Sequence, residues 1–362
     1  MAANDARVHG VDGSVYSLRR LLCVVHGCAA FFRSSRAIPW CVWSYVAAVV
    51  AVWVLLRVGG DRWWFPTLML FGPRWICAVP LAVLGPWAGF TRRRLWWPLS
   101  AAAVLVIGPI MGFCLPWSRL AAPVGPTVRV LTCNLKGQCQ DNEALDELIR
   151  TLAPDVVALQ GCWKHVRVDW PAGWHVRQQG DVLIASRYPL RELPEVDSAR
   201  ELRPRVSLLA CLVAAPGHDL CFCTLHPQSP HHSIDPLLDR WTVLRPSQSP
   251  QLVAEIENRW RDARAIAEWL AGTGKPEIIA GDLNVPADSA IYRRYWTGYW
   301  NAFSSAGLGF GYTEWPKLRK VRFGMRIDHI LSGPNWRPGR CWVGPDVGSD
   351  HLPLIADLYW AG

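Results

Sequence analysis

From Ile38 to Leu56 the chain reads IPWCVWSYVAAVVAVWVLL without a single charge, and no other feature constrains its organisation as strongly. As a helix those 19 residues rise about 28 Å, close to the roughly 30 Å of hydrocarbon in a bilayer. Leu95 to Trp117 is a second uncharged run of similar length. Between them, Trp63 to Phe90 is apolar but interrupted by Pro66, Gly72, Pro73 and Arg74, and reads as one kinked crossing centred on Trp75 to Phe90. A buried helix of a soluble protein is the alternative, disfavoured by length and the lack of charge. A cleaved signal peptide fits poorly, because the first run starts late and two more follow it.

The predicted organisation is a basic cytoplasmic segment over residues 1–37, a membrane region over 38–117 (helices 38–56, 63–90 and 95–117), a linker over 118–126, and a domain over 127–362. Arg7, Arg19, Arg20, Arg33 and Arg36 precede the first run, and Arg92, Arg93 and Arg94 lie between the second and third. Cationic flanks stay in the cytoplasm, so three crossings put the C-terminal domain outside it, and two would leave it inside. Trp40, Trp43, Trp63, Trp64, Trp96, Trp97 and Trp117 stand near the run ends, where indole rings anchor at the interface.

Charge divides at the same boundary. Up to Pro123 there are 12 Lys and Arg against 3 Asp and Glu, whereas the remainder carries 26 of each, so the whole net charge of +9 belongs to the N-terminal part. A formally neutral domain makes long nucleic acid a less favoured partner, since gripping it takes a cationic surface. The apolar runs make a lipid bilayer an expected partner, and no protein partner is inferred. Seven cysteines fall in the domain, Cys133, Cys139, Cys162, Cys211, Cys221, Cys223 and Cys341. An odd number cannot all pair internally and no spacing suits zinc, which favours buried thiols and leaves the disulfide state open.

After the Pro/Gly-rich stretch Ala121 to Pro126, apolar runs of strand length alternate with helical patterns. Strands are expected at Val128–Cys133, Val156–Leu159, Val182–Ala185, Ser207–Val213, Leu220–Leu225, Ile278–Ala280, Ile327–Leu331 and Leu354–Leu358. Helices are expected over Asn142–Leu152 and Leu252–Ala271, the second presenting Leu252, Ile256, Trp260, Ala263, Ile266 and Leu270 on one face. This mixture predicts an α/β layered domain.

Polar residues cluster where these strands stop, which is where α/β scaffolds build sites. Gly281-Asp282-Leu283-Asn284 follows an apolar run; an extended backbone would point Asp282 and Asn284 the same way, one to take a proton and one to orient water or a phosphate oxygen. Asp350 and His351 in GSDH offer a carboxylate for a cation and an imidazole for a phosphate oxygen. Asp328 in RIDHIL could fix the tautomer of His351. A plain turn remains an equal reading of the GDLN tetrapeptide alone.

Taken in order, Asn134 in LTCNLKG, DVVALQ, ASRYPL, TLH at Thr224–His226, GDLN, RIDHIL and SDH resemble the successive motifs of the endonuclease/exonuclease/phosphatase (DNase I-like) family, here in membrane-anchored bacterial-type form, over about Thr127 to Leu358. The resemblance implies a four-layer α/β/β/α sandwich, two β-sheets flanked by helices, behind transmembrane helices. It also implies metal-dependent phosphoester hydrolysis with Mg²⁺ or Mn²⁺. Asp282 would activate or position water, with Asn284 its phosphate-orienting companion. His351, backed by Asp328, and His226 would contact phosphate, while Asn134 and Asp350 would belong to the metal and phosphate environment.

One position departs. The family's second strand ends in LQE, whose Glu is the principal Mg²⁺ ligand; this chain reads Leu159-Gln160-Gly161. Glycine supplies no ligand, and strand alternation would turn Gln160 away from the site. Either the remaining groups hold the metal weakly, another side chain moves in, or the domain is a degenerate phosphate- or lipid-binding module. Retained catalysis is favoured because Asn134, His226, Asp282, Asn284, Asp328, Asp350 and His351 are all present. A nucleic acid, a phospholipid head group and an inositol phosphate all remain open as substrate, with a slight tilt to a lipid-like or small phosphoester. His231 and His232 read as loop residues, Arg187 as a turn residue, and Lys317, Arg319, Lys320 and Arg322 as a solvated basic run.

Overall fold

A computed structural model describes residues 37–120, 125–137, 143–163, 166–193, 206–215, 218–230, 250–318 and 321–361. The basic residues before Ala37, together with Cys139, His231, His232, Arg319 and Lys320, lie outside these. Contacts divide the chain into two units, one of residues 1–52 and 75–107, the other of residues 53–74 and 108–362.

In the N-terminal part, α1 (Ala37–Gly59) is a 23-residue helix. Among the described residues it is the one helix that is by itself long and apolar enough to cross a membrane, which is weak evidence for doing so. The interrupted stretch folds as α2 (Trp64–Leu70) and a helical segment over Arg74–Gly89 bent by 86°, a broken span or a re-entrant loop. Phe71, Gly72 and Pro73 occupy the break, as expected where proline removes a backbone donor. That segment contains most of α3 (Val79–Thr91). The third stretch forms α4 (Trp96–Leu105), 10 residues continued by a 5-residue π-helical turn around Pro109 that ends at Ile110, so its helix stops short of Trp117. Trp40, Trp63, Trp96, Trp97 and Trp117 are exposed.

In the larger unit the chain lays down β1 (Thr127–Asn134), α5 (Glu143–Leu152), β2 (Val156–Gln160), β3 (His175–Gln179), β4 (Val182–Ser186), β5 (Leu190–Glu192), β6 (Ser207–Ala215) and β7 (His218–His226). After the long helix α6 (Pro250–Gly272) come β8 (Ile278–Asp282), β9 (Trp300–Asn301), β10 (Lys317–Leu318), β11 (Val321–Arg322), β12 (Asp328–Ser332), β13 (Trp336–Val343) and β14 (Leu354–Trp360). Two six-stranded mixed sheets result, ordered β13-β14-β1-β2-β4-β3 and β5-β6-β7-β8-β12-β9.

The burial of alternate residues explains how the sheets stack. Val128, Val130, Val156, Ala158 and Ile184 of one sheet pack with Cys211, Phe222, Ile278, Ala280 and Ile330 of the other, making the core between them. The opposite alternates, Leu131, Cys133, Val157 and Leu159, receive Leu145 and Ile149 of α5 on the outer face. On the far face of the second sheet, Leu208, Ala210, Cys223 and Ile279 receive Ala263, Ile266, Trp269 and Leu270 of α6. Each fully buried aliphatic or aromatic side chain contributes about 1.5–3 kcal/mol, so period-2 patterning on both faces fixes the register of every central strand.

Topology then gathers the strand ends. β1 pairs with β2, and β7 with β8, in parallel, so Asn134, Gln160, His226 and Asp282 are all C-terminal strand residues. β4, β12 and β14 run antiparallel to β2, β8 and β1, which brings the residues at their N-terminal ends to the same edge: Asp181, Asp328 and the GSDH loop.

Candidate active site

Asp282 lies at the centre, paired in register with Asp328 across β8 and β12. Its side chain is 2 % exposed. Oδ2 accepts from Asn134 Nδ2 at 2.9 Å and Oδ1 from the Asn284 backbone N–H at 2.9 Å. Burial, together with the nearby charge of Asp328, pushes the Asp282 carboxyl up to about 6, against the opposing pull of His351 and His226.

Two imidazoles flank it, each oriented by a carboxylate. His351 Nδ1 is 2.8 Å from Asp328 Oδ2, and its Nε2 is 3.9 Å from Asp282 Oδ2. His226 Nδ1 is 2.8 Å from Asp181 Oδ2, and its Nε2 is 3.8 Å from Asp282 Oδ2 and 3.3 Å from Asn134 Nδ2. Burial alone would lower both histidines. For His351 the charge and hydrogen bond of Asp328 outweigh it and carry the group well above its ordinary value; for His226 the Asp181 hydrogen bond and the charge of Asp282 do so. Each ring is thus held towards the imidazolium form, the form that neutralises a phosphoryl oxygen. His329, adjacent to Asp328 in sequence, points elsewhere: it bonds the Val285 carbonyl and Asn301, and burial lowers it to about 4.

The remaining expected residues stand close by. Asn284 is left-handed, with φ +51°, rather than extended, because the strand stops at Asp282 and the chain turns sharply. Asparagine tolerates that conformation. Its Nδ2 donates to the Pro227 carbonyl at 2.9 Å, fastening the GDLN turn to the end of β7. Asp350 Oδ2 binds Lys136 Nζ at 2.7 Å. Gln160 does not turn away from the site: it is fully buried on the inter-sheet face with Thr132, bonded to Thr132 and Thr224. Val156 and Ala158 face that core, and Gln160 continues the alternation before Gly161 bends the chain.

Three site residues escaped the sequence reading. Asp181 could have been found from the antiparallel start of β4, next to the strand carrying Gln160. Lys136 was visible only as part of the LTCNLKG motif. Glu314 is 4 % exposed, and its Oε1 is 3.0 Å from Lys136 Nζ and 3.6 Å from His351 Nε2; it lies alone in YTEWP, with no pattern to mark it.

A cation would find donors here. Asp282, Asp328 and His351 each offer a ligand atom, all within 4.8 Å of one another. Asp328 Oδ1 and His351 Nε2 are buried without a hydrogen-bond partner, the polar loss that a bound ion or substrate oxygen would relieve. The basic run and Arg187 are accounted for differently. Lys317 and Arg322 belong to the two-stranded ribbon β10–β11, and Arg187 donates to the Pro154 carbonyl beside Asp155.

Residues 131–351 match the model of the Endonuclease/Exonuclease/phosphatase family, a span that includes every residue of this constellation. Comparison with curated proteins found no match. Among solved structures, the chain resembles the 3′-5′ exonuclease NExo from Neisseria meningitidis, with 18 % identity and a TM-score of 0.47 over 64 % of this chain and 100 % of that one. It also resembles D. rerio TDP2 complexed with single strand DNA product, with 18 % identity and a TM-score of 0.45 over 64 % and 98 %. An AP endonuclease from Archaeoglobus fulgidus gives 18 % identity and 0.44 over 63 % and 98 %. With the family model covering well over half of its length, the chain belongs to the Endonuclease/Exonuclease/phosphatase family.

Proposed function

We propose that this chain is a bilayer-anchored hydrolase of a phosphomonoester or phosphodiester, with a lipid-like or small substrate favoured over long nucleic acid. The family is one of metal-dependent phosphoesterases and nucleases, and the observation that carries the reading is Asp282 set between two carboxylate-oriented histidines. Its elevated pKa makes Asp282 a base near neutrality, able to take a proton from an attacking water. Asn134 holds the carboxylate in place, and Asn284 shapes the turn beneath it. His226 and His351 in imidazolium form would neutralise charge on the phosphoryl oxygens and supply a proton to the leaving oxygen. A divalent ion, Mg²⁺ or Mn²⁺, would be held by the carboxylates of Asp282 and Asp328, and would supply further charge neutralisation.

The tether in this reading is α1, with the C-terminal domain outside the cytoplasm. Its support is the charge-free run Ile38–Leu56 within that helix and the exposed indoles at the ends of the apolar stretches, and the formal neutrality of the C-terminal domain supports the substrate preference. The test uses the full chain in detergent with chromogenic phosphomonoester and phosphodiester substrates and a panel of nucleic acid, phospholipid and inositol phosphate. Turnover that Asp282→Ala abolishes supports the proposal; equal rates in wild type and variant overturn it. Preferential DNA cleavage with a steep salt dependence would replace the substrate class.

A further inference from the structure

After Asn134 the chain makes a tight turn in which Asn134 Oδ1 accepts from the Lys136 N–H at 2.9 Å, Lys136 sits at φ +46° and Gly137 at φ +64°. A lysine in the left-handed region costs about 1–2 kcal/mol, a conformation retained where the surroundings over-determine it. Here the surroundings do. A Cβ on Gly161 would lie 2.6 Å from Lys136 N, 2.9 Å from Lys136 Cα and 2.8 Å from Asn134 Oδ1. The lysine turn therefore fills the space into which a side chain at position 161 would grow, so the missing carboxylate and the turn are two aspects of one local structure.

The turn delivers the ammonium to the site edge, 3.0 Å from Glu314 Oε1 and 2.7 Å from Asp350 Oδ2. Burial, which would lower the lysine, is outweighed by the charges of Glu314 and Asp350, so the group stays protonated. Glu314 Oε1 also lies 3.6 Å from His351 Nε2, and the Glu314 backbone bridges that of His351. An ammonium has three N–H donors. Two point at carboxylates, and the side chain keeps 33 % of its exposure, leaving a third donor for a ligand from solvent.

We infer that Lys136 is a phosphate-binding catalytic residue whose ammonium, held by Glu314 and Asp350, presents its remaining N–H at the site edge. This rests on the phosphoesterase reading above. The third N–H donates to a non-bridging phosphoryl oxygen, a contact that forms without metal.

Inorganic phosphate titrated into the full chain in detergent with excess chelator tests it. Wild type binds phosphate; Lys136→Met weakens binding by about tenfold or more, the loss of one charge-assisted hydrogen bond, while Lys136→Arg retains most of it. In the same variant Mn²⁺ binds more tightly, because Glu314 and Asp350 are released. Lys136→Met/Glu314→Gln, which leaves no unpaired buried carboxylate, guards against misfolding and should show the same phosphate loss. Equal phosphate affinity in wild type and both Met-containing variants, or no phosphate binding by wild type without metal, overturns the inference. Asp282-dependent hydrolysis is read separately, so either claim can fail alone.

Discussion

His226 and His351 face the same oxygen. Their Nε2 atoms stand 3.8 and 3.9 Å from Asp282 Oδ2, one arriving from the end of β7 and the other from the loop before β14. Asp181 and Asp328 fix the opposite ring nitrogens at 2.8 Å each, so two carboxylate–imidazole pairs, each joining the ends of both sheets, converge on Asp282.

That arrangement predicts a bell-shaped pH profile. The Asp282 carboxylate appears as pH rises through about 6, giving the acid limb. The imidazolium forms are lost as pH rises through values raised above the ordinary 6.5, giving the alkaline limb. Rate measurements from pH 4 to 10 (the range set roughly by these groups) should show both limbs; a profile that climbs without a maximum would contradict the histidine roles.

Asp181→Asn should move the alkaline limb to lower pH. The substitution removes the hydrogen bond and charge that oppose burial at His226, while burial itself remains and pulls the group down. Asp328→Asn should also lower the rate, about 10²–10³-fold, because an amide no longer supplies the charge that holds His351 as imidazolium. An unmoved alkaline limb in Asp181→Asn would show that His226 does not set it.

Gly161→Glu should fail to build a metal site. The position is left-handed at φ +64°, and its Cβ would meet the Lys136 backbone as well as Asn134 Oδ1. We expect a loss of roughly 2 kcal/mol or more in stability, from left-handed strain together with overpacking, read by denaturation. Gly161→Ala should lose nearly as much, since the first carbon makes the clash. A stable Glu variant with newly tight Mn²⁺ binding would show that the lysine turn yields.

The eight strands expected from apolar runs are all present, as are both helices, because central strands buried on two faces write long uninterrupted patterns. The strands that went unread lie at sheet edges or are very short. β3 is largely exposed, and β13 contains Pro338 and Gly339 with a register shift between Pro338 and Arg340, which an edge strand tolerates. Among site residues, those at the ends of apolar runs were legible. Asp181, Lys136 and Glu314 were not, because what places them is pairing across the sheet or a turn conformation, neither of which leaves periodicity. Gln160 shows the converse: alternation was the right rule, but its phase had to be read from Val156 and Ala158, which face the other sheet.

The segment between α1 and α2 offers the last test. Arg259 Nη1 binds Asp61 Oδ1 at 2.7 Å, its Nη2 donates to the Asn284 carbonyl at 3.0 Å, and its guanidinium lies over the Phe71 ring. The Asp61 and Arg259 side chains are 0 % and 5 % exposed. Removing one partner of a buried pair leaves an uncompensated charge, at a cost of about 3–5 kcal/mol. Arg259→Met should therefore destabilise the full chain by that amount and loosen the GDLN turn, lowering turnover at temperatures where the protein stays folded. Asp61→Asn/Arg259→Met should recover much of the stability, since no charge is then stranded, but not the bond to Asn284. Denaturation of the two singles and the double gives the coupling directly. Additive losses would mean that the two side chains do not share this energy, and the segment would then be held by its other contacts, among them the bond from Trp260 Nε1 to the Asp61 carbonyl.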